Sequence, residues 1–206
     1  MFFEFLYWTV GRLIKWIFRL QPEGLENLPR HGVLLCPNHA SNWDPVLIGV
    51  CLPHNYHLRI MAKEALFHNK ALAWLIRKLG AFPVTRGTAD IQSVKTAMQV
   101  IKDGQNLLIF PEGTTIRNGL GYVDGLPPHA HSGIAVIGVR SGATLVPVFA
   151  DGPKKPFHKH RIIFGKPYTP VYTGRRGTSE EMQKIADDIL REAYALGGQK
   201  VGGEPL

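Results

Sequence analysis

The chain has 206 residues, 45% of them hydrophobic and 19% charged, with a formal net charge of +8. That composition excludes wholesale disorder, and the length suits one domain with a real core. The positive charge implies an anionic partner, whether nucleic acid, a membrane face or phosphorylated substrates, and does not choose among them.

The first twenty residues, MFFEFLYWTVGRLIKWIFRL, contain no proline and one glycine. Glu4, Arg12, Lys15 and Arg19 fall on one side at helical spacing, and Phe2, Phe3, Leu6, Val10, Leu13, Ile17 and Leu20 fall largely on the other. The pattern predicts an amphipathic helix over residues 1–21, lying on a membrane surface or packed on the protein's own core. Its aromatic load, with Tyr7, Trp8 and Trp16 near the boundary, favours peripheral attachment to an anionic bilayer. The basic residues lie within and after the apolar run, so no secretory signal is indicated, and no uncharged run is long enough for a span. Cys36 and Cys51 sit in apolar stretches and read as buried thiols of a reducing compartment, which favours the cytosolic face of the membrane.

Beyond the QPEGLENLPRHG turn region, apolar runs at 32–36, 56–61, 81–84, 106–110, 143–149 and 161–164 predict strands. Helical patterns occupy 44–51, 64–78, 89–103 and 131–141, with Gly80, Gly104 and Gly142 just past three of the ends. Thr178 and Glu181 have capping-box spacing before a last helix. The alternation predicts an α/β domain over 22–196 with a mostly parallel central sheet flanked by helices, followed by a frayed Gly-rich tail, 197–206.

In such a sheet ligands bind beyond the carboxyl ends of the strands, so the polar residues that follow strand runs are the candidates. His39 and Asp44 lie in NHASNWD after the first run, Arg86 follows AFPVT, and Glu112 follows LLIFP. A loop entering a helix can bring Asp44 to one imidazole nitrogen, leaving the other as a general base for a hydroxyl; equally, Asp44 can be only a helix cap. Arg86 reads as a phosphate clamp or a solvated charge, and Glu112 as an orienting carboxylate or a surface ion pair.

The order and spacing of these pieces resemble the glycerolipid acyltransferases typified by lysophosphatidic acid acyltransferase. NHASNWD (38–44), GAFPVTR (80–86), FPEGTT (110–115) and LVPV (145–148) stand in that family's block order, with ENLP, MAKEALF and FGKP stretches beside them. The resemblance covers about residues 22–170. It implies that His39 is the base and Asp44 its partner, and that Arg86, Glu112, Gly113 and Thr114 hold the acceptor's phosphate and glycerol, with Lys63 adding charge. It implies an acyl-CoA or acyl carrier protein donor, a lysophospholipid acceptor such as 1-acylglycerol 3-phosphate, and no metal. The family's arginine after EGT is Thr115 here, with Arg117 two residues on as its possible replacement, and LPPHAHSG with His129 and His131 replaces a basic segment. Both departures bear on the acceptor, which leaves a different lysolipid or glycolipid as an alternative. The histidine pairs lack a carboxylate or thiolate at metal-ligand spacing, GxSxG is absent, and no nucleic-acid-binding motif occurs. A non-catalytic module for anionic lipid is the rival from another class.

Overall fold

The computed structural model describes residues 7–84, 91–116 and 129–198. Seven strands form one sheet: β1 (Leu20–Glu23), β2 (Val33–Pro37), β3 (Leu58–Lys63), β4 (Ala81–Val84), β5 (Asn106–Leu108), β6 (Thr144–Ala150) and β7 (His160–Phe164). Their order is β1-β7-β6-β2-β5-β3-β4. All neighbouring pairs are parallel except β6 with β7, so β1 and β7 run against the other five.

The described α-helices are α1 (Arg12–Ile17), α2 (Asp44–Cys51), α3 (Lys70–Lys78), α4 (Ile91–Lys102), α5 (Gly133–Ser141) and α6 (Ser179–Leu196). The central strands are apolar without a break because both faces are covered. Leu34, Cys36, Leu107, Leu145 and Phe149 point to one side, against α4, α5 and α6 residues such as Ala97, Ile101, Ile134, Ile189 and Tyr194. Val33, Leu35, Leu108, Val146 and Val148 point to the other, against Ile48, Cys51 and Tyr56. Both cysteines are free and buried, and desolvation pushes the Cys51 thiol up to about 12.

Most expected elements are present. Thr178 and Glu181 form the capping box that opens α6, and Gly80, Gly104 and Gly142 all have positive φ. Three expectations change. The helix expected over 64–78 is a 3₁₀ turn, Glu64–Phe67, and then α3, because the Asn69 side chain caps the Leu72 N–H and restarts the helix.

The N-terminal helix expected over residues 1–21 is, among the described residues, a π-helical turn, Tyr7–Gly11, followed by α1. Arg19 takes a φ of +40 and turns the chain into β1, whose Leu20 to Glu23 pair with His160 to Ile163. Edge pairing with β7 therefore takes over where the sequence suggested a turn, and β1 crosses the boundary expected at residue 21. The third change is in β5, which ends at Leu108, short of the expected residue 110, and frees Ile109 and Phe110 to begin the loop that reaches the site.

Candidate active site

Strand β2 lies between β6 and β5, and the loop that follows it is fastened to both sides. Toward β6, the buried Asn38 side chain accepts from the Ala150 N–H (2.7 Å) and donates to the Ala150 carbonyl (3.1 Å). Toward β5, the His39 N–H donates to Glu112 Oε2 (2.9 Å), and the Ile116 N–H donates to the His39 carbonyl (2.7 Å). The His39 ring stacks on Phe110 with centroids 3.9 Å apart. Backbone and ring are thus both fixed before any partner of the imidazole nitrogens is considered.

The sequence placed His39 and Asp44 five residues apart, and the intervening turn brings them together. Asp44 begins α2, with Pro45 in the first turn, but its carboxylate points back into the loop. Oδ2 accepts from the Ala40 N–H (2.8 Å) and the Ser41 N–H (2.7 Å) and lies 3.2 Å from His39 Nδ1. Asp44 is therefore not a cap for α2, whose N-cap position is Trp43 and carries no side-chain cap.

The Lys154 side chain, from the loop after β6, is buried beside Asp44. Its Nζ lies 3.2 Å from Asp44 Oδ1, and both side chains are fully inaccessible. The ammonium also donates to the carbonyls of Asp151 and Gly152, so its protons are directed while its charge faces the carboxylate. Among the described residues Oδ1 has no hydrogen-bond donor, and its contact with Lys154 is an ion pair. Lys154 follows the end of β6 as His39 follows β2, which is the one sequence signal that could have marked it.

Glu112 is not a surface residue. Only 4% of it is exposed, and beyond the His39 N–H its carboxylate accepts a hydrogen bond from the Tyr194 hydroxyl of α6. Burial pushes its carboxyl up from the usual carboxylate range to about 7, helped by the charge of Asp44 and opposed by the two donors. Gly113 turns the loop with φ +64, and a Cβ there would stand 2.5 Å from the His131 ring, so only glycine fits. Thr115 then places its Oγ1 3.0 Å from His39 Nε2 and 3.3 Å from Asn42 Oδ1. Tyr194 and Thr115 both escaped the sequence reading, the first because it is 82 residues from its partner and the second because it appeared only as a missing arginine.

Among the other candidates, Thr114 is exposed beside this loop, and Lys63 is exposed at the carboxyl end of β3. Arg86 and Arg117 lie outside the described residues. His129 pairs with Asp187 on α6 at 3.3 Å. Among the described residues no group of three or more His, Cys, Asp or Glu could hold a metal ion.

Fold and site together define an α/β protein whose imidazole is held on one nitrogen by a buried carboxylate and meets an alcohol on the other. The Acyltransferase family model matches residues 19–151, and on that match the chain belongs to the acyltransferase family. It is 34% identical over 149 residues to the 1-acyl-sn-glycerol-3-phosphate acyltransferase of Bacillus subtilis (strain 168), covering 69% of this chain and 70% of that protein. The protein of the same name from Streptococcus pneumoniae is 28% identical over 178 residues, covering 84% of this chain and 62% of that protein. The lyso-ornithine lipid O-acyltransferase of Pseudomonas aeruginosa is 32% identical over 110 residues, 52% of this chain and 40% of that protein. The crystal structure of the 1-acyl-sn-glycerophosphate acyltransferase from Thermotoga maritima shares the fold, with a TM-score of 0.69 at 22% identity over 96% of this chain and 80% of that one.

Two outcomes check this electrostatic layout. Lys154→Met leaves Asp44 as a buried charge without a counter-ion and should cost about 3–5 kcal/mol in urea unfolding; a loss under about 0.5 kcal/mol would show that the pair is not as drawn. Glu112 binds its proton more tightly folded than unfolded, so its contribution is fully present below pH 4.5 and is lost as pH rises to about 7. Glu112→Gln keeps an acceptor for the His39 N–H and cannot titrate. Wild-type stability should therefore fall relative to Glu112→Gln across that window, and parallel curves would contradict the raised carboxyl.

Proposed function

We propose that the protein transfers a fatty acyl group from acyl-CoA or acyl carrier protein to the free hydroxyl of a lysophospholipid, with 1-acylglycerol 3-phosphate as acceptor and phosphatidic acid as product. The observation that carries this reading is the alignment Asp44 Oδ2, His39 Nδ1, His39 Nε2, alcohol oxygen. With Nδ1–H directed at Asp44, Nε2 is left as an acceptor for a hydroxyl proton. As the acceptor oxygen attacks the thioester carbonyl, its proton passes to Nε2, the C–S bond breaks, and the thiolate leaves with that proton. A thioester is already activated, so positioning and general-base help meet the chemical demand.

Asp44 and the buried Lys154 act through His39 and hold its tautomer. Arg86 and Arg117, with Lys63 and the Gly113–Thr114 turn, bind the phosphate end of the acceptor. A lysolipid without that phosphate is the second reading, supported by the neutral Thr115 beside the base and by the likeness to the lyso-ornithine lipid enzyme. The membrane face is the α1 side. Val10, Leu13, Trp16, Trp43 and Phe157 are exposed there, Trp16 packs edge-on to Phe157, and the same segment carries Arg12, Lys15 and Arg19. No helix among the described residues is long and apolar enough to cross a membrane.

Acyl transfer is measured with radiolabelled palmitoyl-CoA and palmitoyl-acyl carrier protein against 1-acylglycerol 3-phosphate, other lysophospholipids and lyso-ornithine lipid. Turnover should be highest on 1-acylglycerol 3-phosphate and fall about 10²–10⁴-fold in His39→Ala with the fold retained; preference for a phosphate-free acceptor would replace the first reading by the second. Phe18 is buried and Leu20 belongs to β1, so membrane binding is tested by point changes and not by removing the segment. Leu13→Ser with Trp16→Ser should abolish cosedimentation with anionic vesicles, and unchanged binding would reject this face.

A further inference from the structure

Thr115 is an alcohol already seated at the base. Its hydroxyl lies 3.0 Å from His39 Nε2, and Asp44 Oδ2 lies 3.2 Å from Nδ1, so carboxylate, imidazole and hydroxyl stand in one relay. The contact does not depend on a freely placed side chain. The next residue, Ile116, is bonded through its N–H to the His39 carbonyl, and Glu112, three residues earlier, accepts the His39 N–H. Thr115 is therefore fixed to the residue whose imidazole it meets. Asn42 Oδ1, at 3.3 Å, is a second acceptor for the same proton and keeps the hydroxyl on this side of the ring.

Threonine carries a secondary alcohol, the chemical class of the free hydroxyl of 1-acylglycerol 3-phosphate. A base arranged to activate that class of nucleophile toward a thioester holds one within its own chain. On the acyl-transfer reading above, we propose that Thr115 is an acyl-accepting site: when thioester is bound without acceptor, the enzyme acylates itself there. Thr115 Oγ1 attacks the thioester carbonyl, its proton passes to Nε2, the C–S bond breaks, and the thiolate leaves with the proton. The product is an acyl-threonyl ester and a free thiol. A second hydroxyl, from the lysolipid or from water, then gives its proton to Nε2 and attacks the ester. The C–Oγ bond breaks, and Thr115 recovers the proton. The residue would thus also give the protein a slow thioesterase activity when acceptor is scarce.

The full chain is incubated with palmitoyl-CoA, and separately with palmitoyl-acyl carrier protein, without lysolipid. The reaction is quenched in acid, intact mass and peptide maps are recorded, and free thiol release is followed. The expected result is one palmitoyl group on the peptide holding Thr115, retained in Thr115→Ser and lost in Thr115→Val and His39→Gln. If the ester turns over too fast to trap, acceptor-independent thiol release should still fall on the order of 10²-fold in Thr115→Val. Thr115→Ala repeats the comparison should Thr115→Val fail to fold by circular dichroism. Absence of the adduct, together with thiol release that is either absent in wild type or equal in wild type and Thr115→Val, would overturn the proposal. An adduct on another residue with no Thr115 dependence would do the same. A parallel arm with 1-acylglycerol 3-phosphate separates the two readings: transfer to it without self-acylation or Thr115-dependent release removes only this proposal, whereas no transfer to any lysolipid removes the acyl-transfer reading.

Discussion

The structure depends on how one histidine is held between two neighbouring strands. His39 follows β2, and each strand beside β2 sends something to fix it: β6 through the paired amide of Asn38 and the backbone of Ala150, β5 through Glu112, Ile116 and Phe110. None of these contacts is made by the imidazole nitrogens. Asp44 on Nδ1 and the Thr115 hydroxyl on Nε2 therefore meet a ring whose residue has already lost its freedom, which is what positioning a base requires.

The electrostatics follow from the same enclosure. Asp44 and Glu112 are both buried carboxylates within the reach of His39, and among the described residues Lys154 is the buried ammonium that faces them, on Asp44. An ionised Asp44 is stabilised by that ammonium and by two loop N–H groups, so it can orient Nδ1. Burial raises the Glu112 carboxyl, and what the side chain provides is a hydrogen-bond frame linking the loop to α6 through Tyr194. The sequence left Glu112 as an orienting carboxylate or a surface ion pair, and the structure buries it between the His39 N–H and the Tyr194 hydroxyl. Desolvation explains the difference: PEGT looks like an exposed turn until α6 closes over it.

What was legible in the sequence was local. Strand runs, capping glycines, the Thr178 capping box and the alternation of strand and helix all depend on residues near one another, and they placed His39 and Glu112 beyond the carboxyl ends of their strands. What was not legible depends on distance or on competition. Lys154 meets Asp44 across 110 residues and Tyr194 meets Glu112 across 82, and neither pairing leaves a spacing to read. The N-terminal helix was overextended because helical periodicity in 18–20 does not reveal that β7 offers an unpaired edge there. Thr115 was seen only as a departure from a family pattern, and its contact with Nε2 arises because the Ile116 N–H binds the His39 carbonyl.

The central claim is that Asp44 holds the proton of His39 on Nδ1 and leaves Nε2 bare to receive a hydroxyl proton. It is tested most directly by ¹⁵N NMR of the imidazole nitrogens in ¹⁵N-histidine-labelled protein at about pH 8, where a free imidazole is neutral, with His39→Gln used for assignment. The account predicts the Nδ1–H tautomer with an unprotonated Nε2, and loss of that fixed tautomer in Asp44→Asn. An Nε2–H tautomer in the wild-type protein would contradict it.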